Sequence, residues 1–178
     1  MDDKQYKIRR FVDPHVELKD DDVKGTLVIR QGVPMFSLVE FNIWGACNRS
    51  CAFCPVSDPK FYTNKHEGIK IENYKKVLEN LRQVNYRGII LWSMFSEPML
   101  NKEIFTLARL TKEVLPDVKL QMTTNGDVIR KKNHKMVSLF REGVDRINVS
   151  LYDGPEQFEA FTEIRILQKI SIDQIKLR

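Results

Sequence analysis

The sequence predicts an α/β fold built on parallel strands, from three observations. Strand-like and helix-like segments alternate from residue 36 onward, the first, third and fourth strands are apolar on one face and polar on the other, and every cysteine falls in the loop after the first strand of that series. Strands that alternate with helices pair in parallel, because parallel neighbours need a crossover connection, which is right-handed almost without exception.

The elements follow in order. "FSLVEFNIW" has strand character, and "IENYKKVLENLRQV" sets Ile71, Tyr74, Val77, Leu78, Leu81 and Val84 at helical spacing. "RGIILWSM" reads as a second strand and "NKEIFTLARLTKEVL" as its helix, with Asn101 as N-cap and Pro116 just past the end. A third strand, "DVKLQMTT", runs into a turn at Asn125-Gly126 and a helix from about Val128 to Arg141, closed before Gly143. The fourth strand, "DRINVSLY", is broken by "DGP" before a helix with Phe158, Phe161, Ile164 and Leu167 as apolar positions, and "DQIKLR" opens a fifth strand.

Side-chain parity selects the curvature. Val39, Phe41 and Ile43 oppose Glu40, Asn42 and Trp44; Val118, Leu120 and Met122 oppose Lys119, Gln121 and Thr123; Ile147, Val149 and Leu151 oppose Asn148, Ser150 and Tyr152. An open sheet covered by helices on both sides would be apolar on both. One apolar and one polar face suit a partial (βα) TIM-like barrel around a wet cavity, truncated after four to five βα units. The alternative is an α/β layer with one sheet face bare to solvent. Residues 1–35 read as an N-terminal extension with a short strand at "TLVIR", and residues 36–178 as the core domain, incomplete at its C-terminal end.

Composition bounds the setting. The chain has 178 residues, 42% hydrophobic and 30% charged, enough for one sizeable core. It has no apolar run of membrane-spanning length and an N-terminus unlike a signal peptide, so the expectation is a cytoplasmic protein with no membrane partner. The net charge of +5 lies wholly in residues 36–178, since residues 1–35 hold seven acidic and seven basic side chains. The densest basic run, "RKKNHK" at 130–135, reads as a solvated helix face, and nucleic acid is not expected as a partner.

Cys47, Cys51 and Cys54 carry the chemistry, spaced C-x3-C-x2-C. Three clustered cysteines with no others fit poorly with a disulfide framework and fit a metal site. Zinc would need a fourth ligand, for which His66 is available, but the spacing is not the paired C-x2-C type. A cubane iron-sulfur cluster takes one thiolate per iron, so three cysteines leave one iron open to a cofactor or substrate.

That loop after the first strand of a βα repeat resembles the signature of radical S-adenosylmethionine (radical SAM) enzymes. The resemblance covers roughly residues 37–155. It implies a [4Fe-4S] cluster on Cys47, Cys51 and Cys54 whose open iron chelates the amino and carboxylate groups of SAM. It also implies reductive cleavage of SAM to a 5'-deoxyadenosyl radical that abstracts hydrogen from an unknown substrate. Phe53 occupies the family's aromatic position near adenine. "FSEP" stands where the family has Gly-Gly-Glu-Pro, so the resemblance gives Ser96, Glu97 and Pro98 to the methionine end of SAM, with Phe95 and Ser96 replacing the glycines. "TTNG" ends the third strand as in many members and makes Asn125, with Ser150, a candidate for the SAM carboxylate or ribose. No catalytic side chain is implied beyond the cluster ligands.

"WGACNRSCAFCPVS" and "INVSLYDGPEQFEAF" are similar to the subgroup that carries a C-terminal SPASM-type extension, although no cysteine follows Cys54. The family core has six βα units, so the chain reads as either a shortened member or a fragment, its barrel closed by a partner chain or a dimer. The expected partners are a peptide or small-molecule substrate and an external electron donor such as flavodoxin or ferredoxin. The alternative function is a catalytically silent iron-sulfur and SAM-binding module. Tyr62, Trp92, Asn148 and Tyr152 are candidates for the cavity lining.

Overall fold

The structure, a computed structural model, describes residues 29–30, 32–132 and 134–178. The chain divides into two units at Ser37 and Leu38. In the first, β1 (Ile29–Arg30) pairs antiparallel with β2 (Val33–Pro34) around Gly32, whose φ of 78° suits a tight hairpin. The rest of the predicted strand at "TLVIR", residues 26–28, lies outside the described residues.

The second unit runs β3 (Leu38–Phe41), α1 (Ile71–Gln83), β4 (Ile89–Trp92), α2 (Ile104–Val114), β5 (Lys119–Thr124), α3 (Asp127–Lys131), α4 (His134–Arg141), β6 (Arg146–Val149), α5 (Pro155–Leu167) and β7 (Ile175–Leu177). All strand pairs are parallel, and the order across the sheet is β3-β4-β5-β6-β7. A doubly wound sheet reverses its order part-way so that helices cover both faces. Sequential order with crossovers of one hand instead keeps the helices on one side, as in a barrel. The architecture is the predicted α/β partial barrel.

Register makes the parity physical. Phe41, Trp92, Met122 and Ile147 share one cross-strand row on the helix side, whereas Glu40, Leu91, Gln121 and Arg146 share a row on the other. On the helix side Leu78, Leu107, Leu120, Met122, Ile147 and Phe161 are fully buried. Trp92 belongs to this core and not to the cavity lining expected from sequence. Its Nε1–H donates to the Tyr74 hydroxyl at 3.1 Å, which bonds the Thr111 hydroxyl at 2.8 Å, which donates to the Leu107 carbonyl at 2.7 Å. Each buried polar group is thereby satisfied, and burial pushes the Tyr74 phenol up to about 12.

Three helix details differ from expectation. Asn101 precedes α2 without being its N-cap: its amide donates to the Ile43 carbonyl at 2.7 Å and its Oδ1 accepts the Glu103 N–H at 2.8 Å. The helix expected from Val128 to Arg141 is two helices, because Lys132 leaves the helical region at φ −140° while its N–H still reaches the Val128 and Ile129 carbonyls. On α5, Phe161 is buried but Phe158 and Leu167 are 51% and 75% exposed, since Gln157 and Phe161, one turn apart, make the inward line. Among the described residues no helix is long and apolar enough to cross a membrane.

Candidate functional site

The loop after β3 is shaped by backbone and side-chain contacts with residues 64–68. Trp44 bridges to Gly68, the Gly45 N–H donates to the Glu67 carbonyl at 2.8 Å, and the Cys47 N–H donates to Asn64 Oδ1 at 2.8 Å. A Cβ at Gly45 would sit 2.5 Å from the Lys65 carbonyl oxygen, so only glycine permits this approach. Further on, the Cys54 N–H donates to the Cys51 carbonyl at 2.9 Å. The Cys54 carbonyl accepts from the Ser57 backbone at 3.0 Å and hydroxyl at 2.7 Å, starting a 3₁₀ turn over Pro55–Ser57.

All three cysteines are free and half-buried, and they line one cavity at the C-terminal ends of the strands. Burial pushes the Cys47 thiol up, while N–H donors from the Arg49 backbone at 3.5 Å and the Asn125 amide at 3.7 Å from its Sγ pull it down.

The opposite wall is the loop after β4. Met94 holds a left-handed φ of 82° with no glycine to ease it. The Ser93 hydroxyl donates to Glu40 and the Ser96 hydroxyl to Asn42 Oδ1, fastening the loop to β3 and the segment after it. Glu97, 1% exposed, accepts three hydrogen bonds: Met99 N–H at 2.9 Å and Thr124 hydroxyl at 2.7 Å on Oε1, and Asn125 N–H at 2.8 Å on Oε2. Burial pushes its carboxyl above the ordinary range, and the donors oppose that shift. The lone pair left at Oε2 is the capacity Glu97 retains for a further donor.

The remaining wall comes from the ends of β5 and β6. Thr123, Thr124, Asn125, Ser150 and Tyr152 reach the cavity, and the Ser150 N–H donates to the Thr124 carbonyl at 2.9 Å. The buried Gln157 side chain accepts the Tyr152 and Asp153 N–H groups at 2.7 and 3.0 Å and donates to the Asn125 carbonyl at 3.3 Å, joining these two strand ends.

Of the residues singled out from sequence, Cys47, Cys51, Cys54, Phe53, Ser96, Glu97, Asn125 and Ser150 all line this cavity. Pro98 does not; it is buried in the 3₁₀ turn Pro98–Leu100, where it fixes the backbone after Glu97. Phe53 is 74% exposed and tilted against the Tyr152 ring at 5.7 Å, at the mouth. Tyr152 lines the cavity, whereas Tyr62 stands behind Phe95 with ring centroids 6.3 Å apart, and Asn148 is buried away from the wall with no hydrogen-bond partner at Oδ1.

Sequence reading missed Arg49. Its guanidinium bonds both carboxylate oxygens of Asp127 and both of Asp153, and it lies over the Tyr152 ring with Cζ 5.5 Å from the centroid. The available signal was one cation inside the cysteine loop and an aspartate just after each of two strand-end motifs.

The donor set discriminates between metals. Among the described residues no three His, Cys, Asp or Glu side chains are grouped for a single ion, and His66 packs edge-on to Trp44 at 6.3 Å instead of lining the cavity. Three separated thiols on one cavity suit a multi-iron cluster, which takes one thiolate per iron, and not a zinc completed by His66.

Comparison with known proteins agrees with this chemistry. The chain is 29% identical over 121 residues to the S-adenosyl-L-methionine-dependent 2-deoxy-scyllo-inosamine dehydrogenase of Niallia circulans, a match that covers 67% of this chain and 46% of that one. It is 28% identical over 114 residues to the GTP 3',8-cyclase of Nautilia profundicola, covering 64% of this chain and 34% of the relative. The chain therefore spans less than half the length of these curated relatives. Its fold superposes on the crystal structure of BtrN in complex with AdoMet and 2-DOIA with a TM-score of 0.69 at 22% identity, over 80% of this chain and 56% of that one. The model of the Radical SAM superfamily matches residues 41–176, from the end of β3 into β7, and the chain belongs to that superfamily, whose members bind a [4Fe-4S] cluster and SAM.

Proposed function

We propose that this chain is the catalytic core of a radical SAM enzyme in which Cys47, Cys51 and Cys54 ligate the cluster. The observation that carries the reading is the convergence of three unpaired cysteines and the strand-end residues Ser96, Glu97, Asn125 and Ser150 on one cavity. When bound, the cluster supplies the electron that splits SAM into methionine and a 5'-deoxyadenosyl radical, which takes hydrogen from the substrate.

The chain's own residues bind and orient. The free lone pair of Glu97 and the hydroxyl of Ser96 offer acceptors to the SAM ammonium, Asn125 and Ser150 offer polar atoms to its carboxylate or ribose, and Phe53 offers a ring face to adenine. Phe95 and Ser96, in place of two glycines, make this wall bulkier than the family's pattern. The electron comes from an external donor of the flavodoxin or ferredoxin type. The named relatives act on small molecules, which supports a small-molecule substrate over a peptide.

Anaerobic reconstitution with iron and sulfide, then reduction with dithionite in the presence of SAM, tests the reading by quantitation of 5'-deoxyadenosine, with Cys51→Ala as control. Product that disappears in the control supports the enzyme. A cluster that assembles without product replaces the enzyme with the silent binding module, and a protein that takes up no iron sinks both.

A further inference from the structure

We propose that Arg49 is a positioning residue that straps the cysteine loop to the loops after β5 and β6, holding two walls of the cavity in one arrangement. The inference rests on the reading above that the cysteines hold the cluster. Arg49 Nε donates to Asp127 Oδ2 at 2.8 Å, Nη2 reaches Asp127 Oδ1 and also Asp153 Oδ2 at 2.7 Å, and Nη1 donates to Asp153 Oδ1 at 2.9 Å. A planar guanidinium fork can grip two carboxylates at once; an ammonium cannot.

The strap leads to the sulfur. Asp127 Oδ2 also accepts from the Asn48 amide at 2.7 Å, Asn48 Oδ1 accepts from the Asn125 amide at 2.9 Å, and that same Asn125 nitrogen lies 3.7 Å from Cys47 Sγ. The Asp127 N–H in turn donates to Asn125 Oδ1 at 3.0 Å. Fixing Asp127 therefore fixes Asn48 and Asn125, and with them a donor facing the first cysteine. An isolated surface ion pair contributes little. This one differs: the Arg49 side chain is only 18% exposed, both partners are held bidentately, and Arg130 at 3.4 Å from Asp153 extends the network.

The experiment compares the wild-type chain with Arg49→Gln, Arg49→Lys and Asp153→Asn, and with Arg109→Gln as control, since Arg109 pairs with Glu142 away from the cavity. Hydrogen–deuterium exchange of the metal-free chain is the first readout, and the EPR change of the reduced, reconstituted cluster on titration with SAM is the second. In Arg49→Gln, exchange over residues 46–54 rises about ten-fold while β5 is unchanged, and the SAM concentration for half the EPR change rises about ten-fold, the scale of a lost charge-assisted fork. Arg49→Lys recovers part of both, Asp153→Asn gives a smaller change of the same sign, and Arg109→Gln gives none.

The proposal is overturned if loop exchange and the SAM titration stay at wild-type values, or if β5 exchange rises in step with the loop, which would mean general destabilisation. Should Arg49→Gln fail to fold, Asp153→Asn decides the matter, because that carboxylate is 42% exposed and tolerates replacement. A wild-type chain that assembles no cluster defeats the functional reading alone, and the exchange measurement still judges the strap.

Discussion

Glu97 accepts the backbone N–H of Asn125 at 2.8 Å across 28 residues of sequence, so one buried carboxylate ties the loop after β4 to the end of β5. Three donors surround its carboxylate: Met99 N–H, Thr124 hydroxyl and Asn125 N–H. In Glu97→Gln the amide oxygen can keep Met99 and Thr124, but its NH₂ then meets the Asn125 N–H donor to donor. A buried donor left unsatisfied costs about 1–3 kcal/mol. Urea unfolding of the metal-free chain should show a loss of that size, and SAM affinity of the reconstituted protein should fall with it; unchanged stability would mean that the Asn125 N–H finds another acceptor in the variant.

The sequence revealed those features that local periodicity encodes. Alternation along Lys119–Thr124 and the helical spacing of Tyr74, Leu78 and Leu81 announce buried faces without a partner's help. The spacing of Cys47, Cys51 and Cys54 is likewise local. Trp92 was misread because Ile89, Ile90, Leu91 and Trp92 are apolar on both faces, so parity cannot assign a side. Phe158 and Phe161 pose the same problem on a helix. Arg49 meets Asp127 and Asp153 at separations of 78 and 104 residues, and only the folded sheet brings them together.

The core polar chain offers a stability test away from the cavity. Tyr74→Phe removes the acceptor of the Trp92 Nε1–H and leaves that indole donor buried and unpartnered. A destabilisation of about 1–3 kcal/mol is expected by urea unfolding. Trp92→Phe should cost less of the polar term, since the Tyr74 hydroxyl keeps Thr111. If Tyr74→Phe is neutral, the core has admitted another partner for the indole.

Gly126 turns the chain from β5 into α3 at φ 80°, and a Cβ there would stand 2.4 Å from Phe161 Cζ and 3.0 Å from Val149 Cγ1. Gly126→Ala combines left-handed strain with a clash against a buried ring, each worth about 1–3 kcal/mol. Thermal unfolding should register the loss. Because Asn125 is the adjacent residue, a second effect is expected on SAM binding; intact SAM affinity beside lowered stability would separate the turn from the site.

The acid limb of stability tests the Arg49 strap in another way. The guanidinium beside Asp127 and Asp153 holds both carboxyls below the usual aspartate range. A carboxyl whose folded pKa is depressed stabilises the fold at and above the ordinary aspartate value, and that contribution is lost as the pH falls through the folded value, where the unfolded chain already binds the proton. Arg49 itself stays charged throughout. The stability difference between wild type and Arg49→Gln should therefore be constant from neutral pH down to the ordinary aspartate range and shrink below it. Urea midpoints of the metal-free chain across that range measure it. A difference that persists undiminished in acid would assign the contribution of Arg49 to its packing over Tyr152 and not to its two carboxylates.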